Sequence, residues 1–520
     1  MNQAPVVDDQ SKASPYAWYV LFLLVLVYVL NFVDRSIITI LAPDIKRDLG
    51  IADDDIGFLY GTAFGVFYAL FGIPLGKLAD SWRRVSLLSL GLSLWSAMTM
   101  VSGFAGNFAQ LALARIGVGV GEATAGPCAY SLITDWFPKR NRATAIAIYT
   151  SGLYLGGGLS LYIGALVVKA WDARYAIEAA PLGLAGWQAA FLAVGFPGLL
   201  LALWVATLRE PLRGQFDGLA SPVEPHPFRV FFNELCMVLP PLTLWSAYRQ
   251  GRSSAVRNLL AAAVIVLVAW ALIAATGSYS QWIVMGIGVY AVYSWATTLK
   301  HRDPVAFELI WGTPAFLCIV IGYGLISFNG YAVGAFAPTY AVEHFKATQE
   351  SAGFIIGGSA ALGGVVGVIG GGLIADRLRK FNPAGRVITI LASAILSLIP
   401  FVVVVTTDSL TVFYALFLPM TILSSAALAP AGASIVDLVL PRMRGTATAA
   451  FFIGTTLIGL ALGPYTAGLI SRLTGSLGTG LLSMLAVAPI SLGALIAAYY
   501  LLPKAEATLL DRARAAGEKV

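Results

Sequence analysis

Twelve stretches of about 20 apolar residues run through this chain, and they leave few folds open to it. They lie at 16–41, 57–75, 84–104, 108–134, 142–168 and 187–207, and again at 308–338, 351–375, 386–406, 410–437, 446–472 and 478–502. Each is long enough to cross a hydrocarbon layer as a helix. Inside that layer only a helix or a closed barrel satisfies its own backbone hydrogen bonds, and runs of this length exclude barrel strands. Charged residues make up 12% of the sequence, about half the share of a soluble domain. The 54 glycines suit close helix packing in lipid. The sequence therefore predicts an all-α integral membrane protein.

The two sets of six repeat each other. Gly76-Lys-Leu-Ala-Asp80 follows the second run, and Gly372-Leu-Ile-Ala-Asp376-Arg377 follows the eighth. Asp135-Trp-Phe-Pro138 with Arg142-Ala-Thr-Ala follows the fourth; Asp437-Leu-Val-Leu-Pro441 with Arg444-Gly-Thr-Ala follows the tenth. Two motifs recurring at nearly one spacing imply two six-helix bundles related by an axis along the membrane normal. The expected divisions are a first bundle over 1–207, an insert over 208–307, a second bundle over 308–502 and a cytoplasmic tail over 503–520. Within the insert, 208–227 is polar and proline-rich, a linker. Leu259–Ala275 and Trp282–Thr298 read as a hairpin of two short spans joined by Thr276–Gln281.

Basic residues set the expected orientation. Lys77, Arg83, Arg84, Lys139, Arg140, Arg142, Arg377, Arg379, Lys380, Arg442 and Arg444 all fall in even-numbered connections, whereas Asp53–Asp55 crowd the first. By the positive-inside rule both termini are cytoplasmic. The polar first fifteen residues do not resemble a signal peptide. The net charge of +6 is a topology signal here, and it does not point to nucleic acid. Cys128, Cys236 and Cys318 are scattered without metal spacing, and His226, His301 and His344 fall in polar connections, so neither a metal centre nor a buried histidine relay is expected.

Four charges interrupt the apolar runs of the first half: Asp34 and Arg35 in the first, Arg115 and Glu122 in the fourth. Each costs roughly 3 kcal/mol on an insertion scale. Asp34 and Arg35 are adjacent and point about 100° apart, while Asn31 lies one turn before both. Arg115 and Glu122, seven residues apart, share a helix face. A carboxylate in a low dielectric gains from a proton, and a nearby arginine opposes that gain. Movement of the arginine could load or release a proton. The other reading of these residues is a fixed network that joins two helices. The second half has no such charges. It offers Tyr323, Phe328, Asn329, Tyr414 and Phe417, a wall suited to an apolar or amphipathic solute or to ordinary packing.

Gly76-x-Leu-Ala-Asp80 followed by Arg83-Arg84 resembles the loop signature of the major facilitator superfamily, and Arg115-x-Gly117-x-Gly119-x-Gly121 resembles a second signature of that family. Asn31-Phe-Val-Asp34-Arg35, Ala42-Pro-Asp44-Ile and Gly119-Val-Gly121-Glu122-Ala123 together look like the Spinster lipid transporters within it. The resemblance implies a proton-coupled transporter of amphipathic lipids, of the sphingoid phosphate or lysophospholipid class, acting by alternating access in a bacterial inner membrane. A small-metabolite or drug exchanger of the same superfamily is the alternative. An enzyme is not expected, and protons are the only cofactor-like species. On this reading Asp34, Glu122 and Arg35 carry proton coupling. Asn31, Arg35, Arg115, Tyr323, Phe328 and Asn329 meet the lipid. Gly76, Asp80, Arg84, Asp135, Arg142, Asp376, Arg377 and Arg444 form a cytoplasmic gate, with Asp80–Arg142 and Asp376–Arg444 as the expected pairs in the outward-facing state. Partners are the lipid substrate and the surrounding membrane, no nucleic acid, and the chain acts as a monomer. Gly459-x-x-x-Gly463-Pro464-x-x-x-Gly468 in the eleventh run resembles an antiporter signature usually found in the fifth helix.

Overall fold

The computed structural model describes residues 13–175, 180–214 and 225–518, and these are almost entirely helical. Six helices build the first bundle: α1 Pro15–Leu49, α2 Asp53–Ser81, α3 Arg84–Ser102, α4 over 108–136, α5 Lys139–Arg174 and α6 Gly186–Ala206. Four more follow: α7 Pro227–Val238, α8 Leu242–Gln250, α9 Arg252–Thr276 and α10 Tyr279–Arg302. After the short α11, Pro304–Ile310, comes the second bundle: α12 Pro314–Phe345, α13 Gln349–Arg379, α14 Gly385–Thr406, α15 Leu410–Asp437, α16 Pro441–Thr474 and α17 Leu477–Ala507. A last turn, α18 Leu509–Ala515, closes the described chain. Thirteen helices among the described residues are long and apolar enough to cross a membrane. α4 is not one of them, because its two pieces, Phe108–Glu122 and Ala125–Trp136, are 15 and 12 residues long.

Local chemistry sets the helix ends. Ser14 caps α1, accepting from the Ala17 amide at 3.1 Å, and Pro15 occupies the first position, where no donor is needed. α1 outlasts its apolar run by eight residues. Lys46 and Arg47 suit its C-terminal dipole, and Gly50 ends it in the left-handed region at φ 64°. The acidic row Asp53–Asp55, read above as a connection, is the first turn of α2. Carboxylates favour a helix N-terminus, and Asp55 also accepts from the Ala52 amide at 3.1 Å.

Pro15 of α1 and Ala507 of α17 emerge on one side, called here the near face. The polar links between the two bundles among the described residues lie toward the far face. Lys46 of α1 bridges Asp53 (2.6 Å) and Glu343 of α12 (2.8 Å). Gln349 donates to Asp44 at 2.7 Å, Ser471 to Asp53 at 2.6 Å, and Arg472 lies 3.0 Å from Asp54; Lys169 pairs with Glu350. Here backbones touch. A Cβ on Gly61 of α2 would lie 2.2 Å from the Leu460 carbonyl oxygen of α16, and one on Gly158 of α5 would lie 2.4 Å from that of Gly357 of α13. Both α2 and α16 widen into a π turn where they meet, at Phe58–Thr62 and Thr456–Ala461. One apolar core joins the bundles on this side, while a second core at the near face is built mostly from the second bundle, with Trp295 of α10 in it and Ile73 of α2 packed on it.

At the near face each bundle holds its own charge hub. Fully buried Arg84 at the start of α3 binds Asp135 of α4, Glu210 after α6 (2.8 Å) and Ser131 Oγ (2.9 Å). In the second bundle Arg386 binds Asp437, and Arg379 joins Asp437 (2.5 Å) to Glu506 (3.1 Å). Arg84 and Arg386, like Asp135 and Asp437, stand 302 positions apart, so the repeat read in the loops extends to their contacts. Arg442 ties the chain's last segment down, pairing with Asp303 at 2.7 Å and Glu518 at 2.5 Å, and it holds the Glu518 carboxyl below its ordinary range.

The insert departs from the expected hairpin. Its two long helices have 25 and 24 residues, not about 17, and only Gly277 and Ser278 join them, with Gly277 in the left-handed region at φ 76°. The polar residues Tyr279–Gln281, read as loop, begin α10. Two further helices, α7 and α8, precede the hairpin and meet at a bend of 98°. The first twelve residues and half of the proline-rich linker, 215–224, lie outside the described residues.

Gly61→Leu should be costly at the far face, by about 1–3 kcal/mol for an overpacked contact that only separation of α2 and α16 relieves. Spin labels at the far ends of those helices should report longer distances. Gly72→Ala, with no atom within 4 Å of its Cβ position, should change nothing.

Candidate functional site

The four charges predicted to lie within the membrane come together where α1 crosses α4. Arg115 is fully buried and spans the crossing, donating from Nη1 to the Asp34 carbonyl (3.0 Å) and from Nη2 to that of Arg35 (2.9 Å). Its guanidinium thus straps α4 to the main chain of α1. Arg35 donates from Nε (3.2 Å) and Nη2 (2.9 Å) to one oxygen of Glu122, which is also fully buried. Three rings cage the Arg35 cation: Phe64 at 4.3 Å, Phe32 at 4.5 Å and Tyr68 at 5.0 Å. The network is incomplete. Both oxygens of fully buried Asp34, the second oxygen of Glu122, Asn31 Nδ2, Trp95 Nε1 and Arg115 Nε have no hydrogen-bond partner. Such groups cost free energy in an apolar interior, so this cluster is a place where a proton, water or rearrangement has an effect.

A cavity lies beside the cluster, with about 1150 Å³ of atom-free space including its mouth. α1 lends it Ser36 and Thr39, and α2 lends Tyr60. Most of the wall comes from the second bundle, including Asn329, Phe401, Phe417 and Thr421. No formally charged side chain lines it among the described residues. Hydroxyls and one amide supply its polarity.

The predicted substrate residues divide accordingly. Asn329 lines the cavity, its Oδ1 buried and unbonded. Asn31 and Arg115 do not: both are packed within the first bundle, and the shared helix face of Arg115 and Glu122 points into protein, not into open space. Arg35, one residue before Ser36, is 7% exposed and engaged by Glu122. Phe328 is core, its backbone pressed on Gly463 of α16, and Tyr323 stacks on Phe451 at 5.3 Å. Tyr414 hydrogen-bonds with Ser351 at 3.2 Å. Sequence reading missed Phe64, Tyr68, Trp95 and the cavity hydroxyls Ser397, Ser424 and Ser491. The i, i+4 pair Phe64–Tyr68 was visible, but nothing in its spacing says that it faces an arginine.

The gate residues are also sorted by the fold. Arg84 and Asp135 bind each other inside one bundle and so act as an internal brace in this state. Asp80 is exposed and accepts no hydrogen bond among the described residues, and Arg142 donates to the Thr134 carbonyl at 2.8 Å, so the expected Asp80–Arg142 pair is not made. Asp376 lies 3.8 Å from Arg386, not near Arg444, which is exposed, as is Arg377. Gly76 leaves room for a side chain, with Pro127 at 3.8 Å. Gly459, Gly463 and Gly468, read as a displaced antiporter signature, serve packing: the first two press on α12 and the third on the Asp53 carbonyl.

Removing Arg35 should strand Glu122. Arg35→Ala is expected to lower stability by about 3–5 kcal/mol, as for any buried pair that loses one partner. Arg35→Ala combined with Glu122→Gln should recover much of that loss in a thermal unfolding series in detergent. Equal instability of the single and double variants would show that the two side chains are not coupled.

Comparison with known proteins supports this architecture. The family model described as Major Facilitator Superfamily matches residues 24–322 and again 319–519. A solved bacterial homologue of the human lysosomal transporter Spinster, in an inward-facing and unoccupied conformation, is 25% identical, with a TM-score of 0.66 over 96% of this chain and 98% of that one. An MFS-type efflux pump of Mycolicibacterium smegmatis is 27% identical over 89% of this chain and 86% of its own length. Protein spinster homolog 1 of Xenopus laevis is 24% identical over 88% and 73%. Two bundles of six membrane helices, repeated loop motifs and a family match in each half have one explanation: the chain belongs to the major facilitator superfamily.

Proposed function

We propose that this transporter moves amphipathic lipids of the sphingoid phosphate or lysophospholipid class and couples their movement to protons. One observation carries the reading: the buried Arg35–Glu122 pair stands next to a cavity whose own lining is uncharged and mostly apolar. Arg35 directly precedes Ser36 of the cavity wall, and Glu122 holds its guanidinium. A proton on Glu122 frees the guanidinium for an anionic head group, while Phe401, Phe417 and their neighbours receive the tail. Loss of that proton restores the internal pair and weakens the hold on the head group. Asp34, buried without a well-formed hydrogen bond, is the second proton carrier. Arg115 keeps α1 and α4 in register while Arg35 changes partners.

On this reading the near face, which carries the basic connections, is the cytoplasmic side of a bacterial inner membrane, and both termini lie there. On this reading the closed far face is the outer gate, and the described state faces inward. Rocking of the bundles to the outward-facing state brings the near ends together. Asp80 then meets Arg142 and Asp376 meets Arg444, which accounts for the exposure of Asp80, Asp376 and Arg444 here. The similarity to an efflux pump over most of the chain, with an uncharged cavity, favours a second reading, export of neutral apolar drugs.

Purified protein in liposomes under an imposed pH gradient tests the first reading. Lysophospholipid affinity should rise with chain length by up to about 0.8 kcal/mol per buried methylene, and Arg35→Ala should remove the dependence on head-group charge. Asp34→Asn with Glu122→Gln should still bind lipid but lose transport driven by the gradient. Uptake of uncharged drugs that ignores Arg35, with no lipid response, would replace this reading by the second.

The gate makes a separate prediction. Asp80→Asn with Asp376→Asn should shift the protein further toward the state seen here, so that near-face spin-label distances between α2 and α16 lengthen. Unchanged distances would leave both aspartates as surface charges only.

A further inference from the structure

The insert is more than a peripheral addition, because α10 lies in the seam where the two bundles meet. Gln281, 1% exposed, reaches both sides of that seam. Its Oε1 lies 2.6 Å from Thr62 Oγ1 of α2, a hydroxyl whose one proton is shared between it and the Ala461 carbonyl of α16 at 2.7 Å, and its Nε2 donates to that carbonyl at 3.4 Å. These are the π turns of the two helices. The hairpin tip does the same nearer the far face. Ser278 Oγ donates to Asp54 of α2 at 3.2 Å, and the Thr276 carbonyl accepts from Arg472 of α16 at 2.9 Å. Trp282 packs edge-on against Tyr465 at 5.5 Å.

Apolar contacts follow the same plan. A separate core unites Val66, Ala69 and Leu70 of α2 with Met285 and Ala291 of α10 and with Ile453, Leu457 and Ala461 of α16. Gly288 sits at its centre, where an added Cβ would be 3.0 Å from Val66 and 3.2 Å from Leu457. By contrast, α9 buries only Ser254 and Asn258. The outer helix of the hairpin is a lipid-facing backing, and the inner helix makes the contacts.

From this placement we infer that the hairpin α9–α10 is a strap that holds the far gate shut. The insert's α2 contacts are the more extensive, since α7 also runs along α2, with the Phe228 ring tilted against Trp82, the residue that follows α2, at 5.1 Å. At its far end the insert therefore moves with the first bundle, while Trp295 keeps the near end of α10 in the core of the second. Opening of the far face must then break its links to α16: Gln281 to Ala461, Thr276 to Arg472, and Trp282 to Tyr465. The strap adds to the stability of the closed far gate and slows its opening, independently of what the cavity holds. Gln281 is buried between two carbonyl-rich turns, so breaking its contacts leaves polar groups unpaired until water enters.

The inference rests on alternating access, and its test does not depend on the substrate. In a background with Cys128→Ala, Cys236→Ala and Cys318→Ala, Thr276→Cys and Arg472→Cys can be joined by a short reducible bis-thiosulfonate reagent. Hydrogen–deuterium exchange of segments 44–55 and 340–350 reads the open population of the far gate. The crosslink should slow exchange there at least about tenfold, and reductant should restore it. Gln281→Ala, with no crosslink, should raise the same exchange by roughly fivefold, on the order of one net hydrogen bond. Exchange unchanged by the crosslink, or by Gln281→Ala, would overturn the strap. If the crosslink slows exchange and no lipid is transported by the uncrosslinked protein, the strap stands and the lipid reading falls.

Discussion

A charge within the thickness of a membrane persists only if protein groups replace the water it has lost, and that requirement organises the first bundle. Arg115 meets it with two main-chain carbonyls of α1, and Arg35 meets it with Glu122 and three aromatic rings. The strap and the pair fix how α1 crosses α4. The crossing in turn sets Ser36 and Thr39 of α1 on the cavity wall. Asp34 is the exception, a buried carboxyl group whose oxygens accept no well-formed hydrogen bond, although the Trp95 indole stands near it. A network that satisfies some members and strands others has a second arrangement within reach, which a fully satisfied one does not.

The two bundles share an architecture and divide the chemistry. Their near-face hubs correspond residue by residue, Arg84 with Asp135 and Arg386 with Asp437, because each must hold its own helices together when the other bundle moves away. The interior is not symmetric. The first bundle buries the ions, and the second supplies most of a neutral, largely apolar cavity wall. Charge and apolar volume thus lie next to each other without the charges lining the space. An apolar surface keeps its favourable contact with a tail, while the ion pair stays screened from lipid.

At the far face, glycine allows main chains to approach where side chains would hold them apart. Gly57, Gly61 and Gly468 bring α2 and α16 into backbone contact, and Gly158 and Gly357 do the same for α5 and α13. Contacts of this kind are made or broken as a whole, since a carbonyl 2.2 Å from a would-be Cβ leaves no intermediate position. The insert seals one of these two seams and leaves the other alone, an asymmetry that the twofold repeat does not contain.

The sequence by itself determined the membrane helices, the twofold repeat, the family and the four buried charges, because each rests on a local property: apolar run length, loop motifs, or a charge inside an apolar run. It read the acidic row Asp53–Asp55 as a loop, since acidity marks a helix start as readily as a connection. It gave the hairpin too little length, because Gln281, read as loop, is polar for reasons of partners 180 and more positions away. Which arginine pairs with Glu122, that Arg115 binds main chain and not solute, that Phe328 is core while Asn329 lines the cavity, and that α10 lies between α2 and α16 were decided only by tertiary structure. Helical spacing states which residues share a face, but what that face meets depends on how helices distant in sequence pack.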